Sequence, residues 1–121
     1  MSTWRQALDQ LTSQASTAVG VPATRDPSAV AGLVAAGGCV LVDMPIQVGR
    51  LLAGPNLEVP IHLITGAPSD LRAVDWLLDH LDPFIAFTGS RSVTNNPKDV
   101  GANTYPAVTA TVQITVTTQE E

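Results

Sequence analysis

The sequence predicts an α+β fold, with two main helices packed on one face of a mainly antiparallel sheet in a single small domain. Two segments place apolar residues three and four positions apart, which is the spacing of an amphipathic helix. Three others are β-rich or alternate between apolar and polar residues, as strands do. The order helix, strand, strand, helix, then one or two strands is typical of helices layered on an antiparallel sheet. The 121 residues suffice for one core, so we expect one domain over 1–121, with a disordered acidic tail at 118–121.

The first helix is predicted between a cap at Ser2 or Thr3 and a stop at Gly20 and Pro22. Its apolar stripe consists of Trp4, Leu8, Leu11, Ala15 and Ala18. Residues 27–36 allow either one or two helical turns or a packed loop. The glycines at 37–38 end whichever of these forms.

Three segments predict strands. Residues 39–43 form an uninterrupted β-rich run, which suits a strand covered on both faces. Residues 57–65 alternate, and because Pro60 cannot donate to a ladder, we expect that strand to lie at an edge or to carry a bulge. Residues 105–117 alternate most strictly, which predicts one buried face and one Thr-rich face.

The second helix is predicted from a cap at Ser69 to about Leu81, with Pro83 helping to stop it or residues 84–87 continuing it briefly. Its predicted apolar stripe is Leu71, Val74, Leu77, Leu78 and Leu81. Three carboxylates share another flank of this helix, with His80 nearby: Asp75, Asp79 and Asp82. Such a group can bind a divalent cation or act as an acid–base pair, but we expect it to be the solvated side of the helix.

No set of residues predicts catalysis, a metal site or a cofactor. His62 and His80 are the only histidines and Cys39 is the only cysteine, whereas a zinc site needs three or four such ligands. Ser90 lies in a turn and not in a nucleophile elbow. Cys39 lies in an apolar run and is predicted to be a small buried hydrophobe. We therefore expect a binding or assembly protein and no enzyme.

The composition predicts a surface that is partly covered by other copies of the chain. Hydrophobic residues make up 45% of the sequence but charged residues only 14%, against about 25% in an ordinary soluble domain. A small domain is mostly surface, where charge normally lies, so a shortage of charge indicates covered surface.

The charge balance argues against binding to nucleic acid or to anionic membranes. Six Lys and Arg face eleven Asp and Glu, giving a net charge of −5, and the basic residues are scattered singly. The first residues lack the features of a signal peptide, and the uncharged stretch 29–42 is too short to span a bilayer. We expect a cytosolic protein or a component of a particle assembled in the host cytoplasm.

The order of segments resembles the tail terminator proteins of long-tailed bacteriophages, particularly those that infect actinobacteria. The resemblance covers most of the chain and is one of pattern and order. It lies in the segments WRQALDQL (4–11), RDP (25–27), CVLVDMP (39–45), LEVPIH (57–62), GAPSDL (66–71) and YPAV (105–108).

This resemblance implies a structural virion protein without catalytic residues. Members of the family form a hexameric ring on the head-proximal end of the tail tube, end tube polymerisation and dock to head-completion or neck proteins. DNA passes through such a ring without being bound, which suits an acidic subunit. We expect acidic residues near the lumen, with Asp43, Glu58 and Asp99 as candidates because they lie at strand ends or in loops.

Two connections, 44–56 and 88–104, are long for so small a domain, and we expect them to contact neighbouring subunits and the tube. The first is apolar where a free loop would be polar. The residues predicted at this interface are Ile46, Val48, Leu51, Leu52, Arg91, Asn95, Asn96 and Lys98.

Other functions remain open at the level of sequence. Within the same class, the chain could be another head–tail joining or tail completion protein. From a different class, it could be a small ligand-binding regulatory α+β domain, which would be a monomer or dimer with a concave pocket. An enzyme is a more distant alternative, since it would need a cleft with convergent polar groups.

Overall fold

The computed structural model describes residues 3–44, 47–51, 54–66, 71–89, 94–95, 97–100 and 103–115. Three helices and eight strands lie within these ranges, and they confirm the predicted α+β class. In chain order they are α1 (Thr3–Val19), β1 (Ala23–Thr24), a 3-10 turn (Pro27–Ala29), α2 (Val30–Ala35), β2 (Gly38–Val42), β3 (Gln47–Leu51), β4 (Gly54–Thr65), α3 (Leu71–Thr88), β5 (Thr94–Asn95), β6 (Lys98–Val100), β7 (Asn103–Tyr105) and β8 (Ala107–Thr115).

The main sheet has the strand order β1-β2-β4-β8-β5, with β3 pairing to β4 beyond the end of β2. The short β1–β2 pair is parallel, and the other pairs of this sheet are antiparallel. Strand β4 is therefore the centre of the sheet, because it pairs with β8 along one side and with β2 and then β3 along the other. Strands β6 and β7 form a separate two-stranded sheet.

Helices α1 and α3 pack on the same face of the main sheet, as predicted. Their core-facing side chains meet those of β2, β4 and β8 in one apolar cluster, which holds Leu8, Leu11, Ala15, Val19, Val40, Val42, Val59, Ile61, Leu63, Leu77, Phe84, Val108 and Ala110. In α1 the buried residue of the last turn is Val19, while Ala18, which the predicted stripe contained, is exposed. A valine buries more apolar area than an alanine, so this rotation of the helix favours the core.

The opposite face of the sheet is covered at one end by α2. Val30 and Val34 of this short helix pack on Cys39, Leu41 and Ile64. Strand β2 is buried along its whole length, as the uninterrupted apolar run predicted. The ambiguous segment 27–36 is therefore helical, and the glycines at 37–38 follow its end.

Pro60 lies in the central strand, so the expectation of an edge strand is wrong. The Pro60 carbonyl accepts a hydrogen bond from the Asp43 N–H at 2.9 Å. In an antiparallel pair, the N and O of one residue point toward the same neighbour, so the missing donor of Pro60 also faces Asp43. Strand β2 has already ended there, at Val42. The absent N–H therefore interrupts no regular ladder.

Pro83 lies inside α3 and does not stop it, contrary to prediction, whereas the predicted continuation through 84–87 is confirmed. A proline in a helix interior costs about 3 kcal/mol. Phe84 is completely buried and Phe87 packs against the same core. Full burial of Phe84 contributes about 1.5–3 kcal/mol, and the partial burial of Phe87 adds to it, which offsets the proline.

The two predicted connections contain strands. Residues 47–51 and 54–58 form a hairpin in which Leu51 pairs with Gly54, so 44–56 is not one long loop. Strand β4 begins at Gly54, earlier than predicted, because β3 offers it a partner there. In the second connection, β5 pairs with β8, and β6 with β7 forms a hairpin, so 88–104 is not one long loop either.

Candidate functional site

Four polar side chains meet on the face of the sheet that bears α2. His62 of β4 lies opposite Thr109 of β8 in the strand register. Its Nδ1 is 2.7 Å from the Thr109 hydroxyl and its Nε2 is 2.9 Å from Asp43 Oδ2. The same Asp43 oxygen accepts a hydrogen bond from Lys98 Nζ at 3.0 Å. The 43–62–98–109 network therefore joins the end of β2, the two central strands and the β6–β7 hairpin.

Burial, hydrogen bonds and nearby charges determine which groups of this network are ionised. Burial lowers the pKa of His62, and the nearby Lys98 charge lowers it further, while the hydrogen bond to Asp43 opposes both effects; the net pKa is lowered. Burial alone would raise the pKa of Asp43, but hydrogen bonds from Lys98, the Met44 N–H and His62 lower it below the ordinary value. At neutral pH the network thus holds a carboxylate, an ammonium and a neutral imidazole.

The neutral imidazole has only one arrangement that satisfies both partners. An ionised carboxylate accepts hydrogen bonds and cannot donate them, so Nε2–H of His62 donates to Asp43. The Nδ1 atom then accepts from the hydroxyl of Thr109. A histidine between a hydroxyl and a carboxylate has the order of a catalytic triad, but His62 is only 7% exposed, so its ring is shielded from a substrate. The network is suited to fastening Lys98 and its hairpin to the sheet.

The candidate lumen carboxylates lie on three different elements. Asp43 follows β2 and is half-buried in the network just described. Glu58 is half-buried in β4, and Asp99 is exposed in β6, where its carboxylate accepts a hydrogen bond from Thr104. Asp43 is therefore already paired with a cation of its own chain.

The predicted interface residues fall into three groups. Ile46, Leu52, Arg91 and Asn96 lie outside the described residues. Val48, Leu51 and Asn95 are strand positions, opposite Leu57, Gly54 and Val108 respectively. Lys98 is half-buried with its ammonium on Asp43, so its charge is used within the subunit.

A surface that the sequence assigned to the core is exposed on α3. Leu71, Val74 and Leu78 are 71%, 50% and 59% exposed, and we call these three residues the α3 strip. The helix instead buries Ala73, Leu77 and Phe84, which recur at spacings of four and seven. The predicted stripe of α3 was therefore wrong in orientation, because only Leu77 of its members is fully buried.

Glycine at position 38 explains this orientation. A Cβ atom built there would overlap the six-membered ring of Trp76 and come too close to the Ile64 carbonyl. Trp76 thus lies directly over a glycine of β2, and its ring stacks on His80 with 4.1 Å between centroids. Seating Trp76 on the sheet turns Leu71, Val74 and Leu78 toward the outside.

The acidic flank of α3 lies beside the strip. Asp75, Asp79 and Asp82 are all exposed, as predicted for a solvated flank. Within the described part of the chain, no group of three or more His, Cys, Asp or Glu side chains is placed to hold a metal ion.

A cavity of about 270 Å³ opens beside the end of β2. Of the residues that the structure describes, those that line it are Leu8, Arg25, Pro27, Val42, Asp43 and Met44. Met44 is 78% exposed, the most exposed large apolar residue among those described. The guanidinium of Arg25 lies 2.8 Å from Asp9 on α1, and about a third of the Arg25 side chain is exposed. We call this feature the Arg25–Met44 cavity.

No protein-family model, curated protein or solved structure matches this chain. Of the helices described, none combines the length and the apolar character needed to cross a membrane. The α3 strip, the acidic flank and the Arg25–Met44 cavity are three features of the described surface that a partner or a ligand could contact.

Proposed function

We propose that this protein is a structural subunit of a phage virion that forms a ring with copies of itself. In this role it caps the head-proximal end of the tail tube, ends polymerisation of the tube protein and docks to head-completion or neck proteins. The ring is a hexamer, as the resemblance to tail terminator proteins implies. Another head–tail joining or tail completion protein would share this assembly chemistry.

The α3 strip is the observation that carries the proposal. Three large aliphatic side chains at spacings of three and four lie in solvent on one helix. Apolar residues exposed singly need no explanation, but a contiguous row marks an interaction surface. In a chain with only 14% charged residues, this row is the surface that a neighbouring subunit would cover.

The charge of the chain supports the same role. Each subunit carries a net charge of −5, so a ring of several copies repels DNA phosphates. Only carboxylates within roughly 8 Å of the DNA act on it at physiological salt. Fluorescence anisotropy with a short duplex at low salt should detect no binding, and salt-sensitive micromolar binding would instead favour a DNA-contacting neck role.

A measurement of the oligomeric state tests the proposal. Light scattering over a concentration series, followed by negative-stain images, should show a closed ring with six times the mass of one chain. Because the ring can require the tail tube as a template, tail tubes should also be added. A protein that stays monomeric at all concentrations and leaves tube length unchanged would contradict the proposal.

A second candidate function is a small regulatory domain that binds a ligand. The Arg25–Met44 cavity favours it, because an apolar hollow with a cation and a carboxylate at its rim could hold a small anionic or zwitterionic molecule. Such a domain would be a monomer or dimer, so the same light-scattering mass distinguishes the two functions.

A further inference from the structure

We propose that the α3 strip binds an amphipathic helix of a different protein, one whose aliphatic seam is bordered by Lys and Arg side chains. This inference deepens the proposed function, and it rests on that function only in treating the partner as another component of the same assembly. In such a contact, one helix lies along another and inserts its apolar side chains between those of the other.

The strip has the spacing of a seam between two helices. Leu71, Val74 and Leu78 are separated by three and four positions, as the a and d residues of a coiled coil are. Leu81 and Ile85, both half-buried, continue this spacing toward the end of α3. The row from 71 to 85 is about 21 Å long, given the rise of an α-helix. One partner helix of two heptads is therefore long enough to cover it.

A row of carboxylates borders the strip on its solvent side. Asp75 and Asp82 each follow a leucine of the strip by four positions, so each carboxylate lies about 40° around the helix from that leucine. Asp79 lies about 40° beyond Asp75. All three aspartates are exposed, and Arg72 is the only Lys or Arg between 71 and 88. A partner that buries the strip therefore meets negative charge along one border, which favours positive charge on the partner.

The strip lies on the side of α3 that faces away from α1. Trp76 lies over Gly38 of β2, on the half of the sheet where α1 also packs. Val74 precedes Trp76 by two positions, which places the two side chains about 160° apart around the helix. The packing of α1 on α3 therefore leaves the strip open, and its three residues are each at least 50% exposed.

The described helices of a second copy offer no surface with the required chemistry. Two strips packed antiparallel would place Asp75 of one copy beside Asp82 of the other, because both occupy the same heptad position. Like charges at an interface oppose that pairing. The described side chains that α1 exposes include Arg5 and Asp9 but no row of large aliphatic residues. Helix α2 has six residues and no charge. The partner is therefore a different protein.

The test uses two synthetic helical peptides as probes, each long enough to cover the row. Both carry leucine at the a and d positions. The basic peptide carries lysine at e and g and the acidic peptide carries glutamate there, so like charges keep each from pairing with itself. Calorimetry at low salt should show that the wild type binds the basic peptide at least about tenfold more tightly than the acidic one.

Variants of the strip test whether the apolar row makes the contact. Leu78→Asp should weaken binding of the basic peptide by about tenfold or more, although it adds a negative charge. Leu71→Ser removes an apolar side chain at the most exposed position of the strip without adding charge, and it decides the question if Leu78→Asp does not fold. Unchanged or tighter binding would show attraction between net charges only and would overturn the inference.

Variants of the acidic border test the charge of the partner. Asp75→Lys combined with Asp82→Lys should reverse the preference, so that the acidic peptide binds more tightly than the basic one. The matched control combines Asp9→Lys with Asp99→Lys, which reverses two exposed carboxylates outside α3. This control should still prefer the basic peptide, and a reversal there as well would mean that only the net charge matters.

The outcomes distinguish this inference from the proposed function. If the wild type forms rings without any peptide and Leu78→Asp abolishes them, the strip is a contact between copies, so the ring stands and this inference is wrong. If the two peptides bind equally or neither binds, the inference is wrong whatever the oligomeric state. If the basic peptide binds as expected but no ring forms with or without tail tubes, the proposed function fails and the strip remains a docking site.

Discussion

Helices α1 and α3 lie on the same face of the same sheet, yet they use their apolar residues differently. Helix α1 turns one row into the core, in which Leu8, Leu11, Ala15 and Val19 are each less than 9% exposed. Helix α3 buries one row and leaves a second row, the α3 strip, in solvent. When a helix has more apolar surface than the core can cover, the remaining apolar surface is exposed to water unless a partner covers it. We infer that the exposed row on α3 is covered in this way during assembly.

The largest expected effect is a difference in stability between two variants, one with a shortened buried leucine of α1 and one with a shortened exposed leucine of α3. Leu11→Ala in α1 should lower the free energy of unfolding by about 2–5 kcal/mol, because it leaves a cavity in the core. Leu78→Ala in α3 should change it by no more than about 0.5 kcal/mol, because the side chain is mostly exposed. Urea unfolding of the two variants measures the difference, and equal losses would show that the strip is buried.

The orientation of α3 depends on Gly38, and a pair of glycine variants tests this. Gly38→Ala should cost about 1–3 kcal/mol, because the added methyl group displaces Trp76 from the sheet. Gly32→Ala in α2 meets open space and should instead stabilise the protein by roughly 0.5–1 kcal/mol. The near-ultraviolet circular dichroism of the protein, to which Trp76 contributes, should change only in the first variant. An unperturbed Gly38→Ala protein would contradict the close approach of the ring.

The 43–62–98–109 network should make stability dependent on pH. The pKa of His62 is lower in the folded protein than its ordinary value of 6.5. Below about pH 6.5, His62 is therefore protonated to a greater extent in the unfolded chain than in the folded protein. The free energy of unfolding consequently falls as the pH decreases. Urea midpoints measured from pH 7.5 to pH 5 should show this slope, and His62→Gln should reduce it. A slope that His62→Gln leaves unchanged would assign it to another group.

The smallest expected effect concerns the ion pair between α1 and the turn after β1. Asp9→Asn removes the contact with Arg25, and both side chains are substantially exposed. Exposed ion pairs contribute at most about 1 kcal/mol, so thermal unfolding should shift only slightly, and less in high salt. A large loss of stability would mean that the Asp9–Arg25 pair is a structural contact of the fold and not an ordinary surface ion pair.

The sequence by itself determined the layers of this protein. Alternation in 57–65 and 105–117 specified which side chains of β4 and β8 face the helices, because a strand has only two faces. Val59, Ile61, Leu63, Val108 and Ala110 are all buried there, as their spacing predicted. The uninterrupted run at 39–43 likewise predicted a strand covered on both faces. These predictions succeeded because they depend on local periodicity and on nothing distant.

Only the tertiary structure decided which row of α3 faces the core. Apolar residues occupy much of the circumference of this helix, so the periodicity permits more than one orientation. The close approach of Trp76 to Gly38 and the burial of Phe84 beyond Pro83 select one of them. Asp43, His62, Lys98 and Thr109 meet for a similar reason, since their side chains come from positions up to 55 residues apart in the sequence. Neither result follows from neighbours in the sequence, because each depends on which distant surfaces fit together.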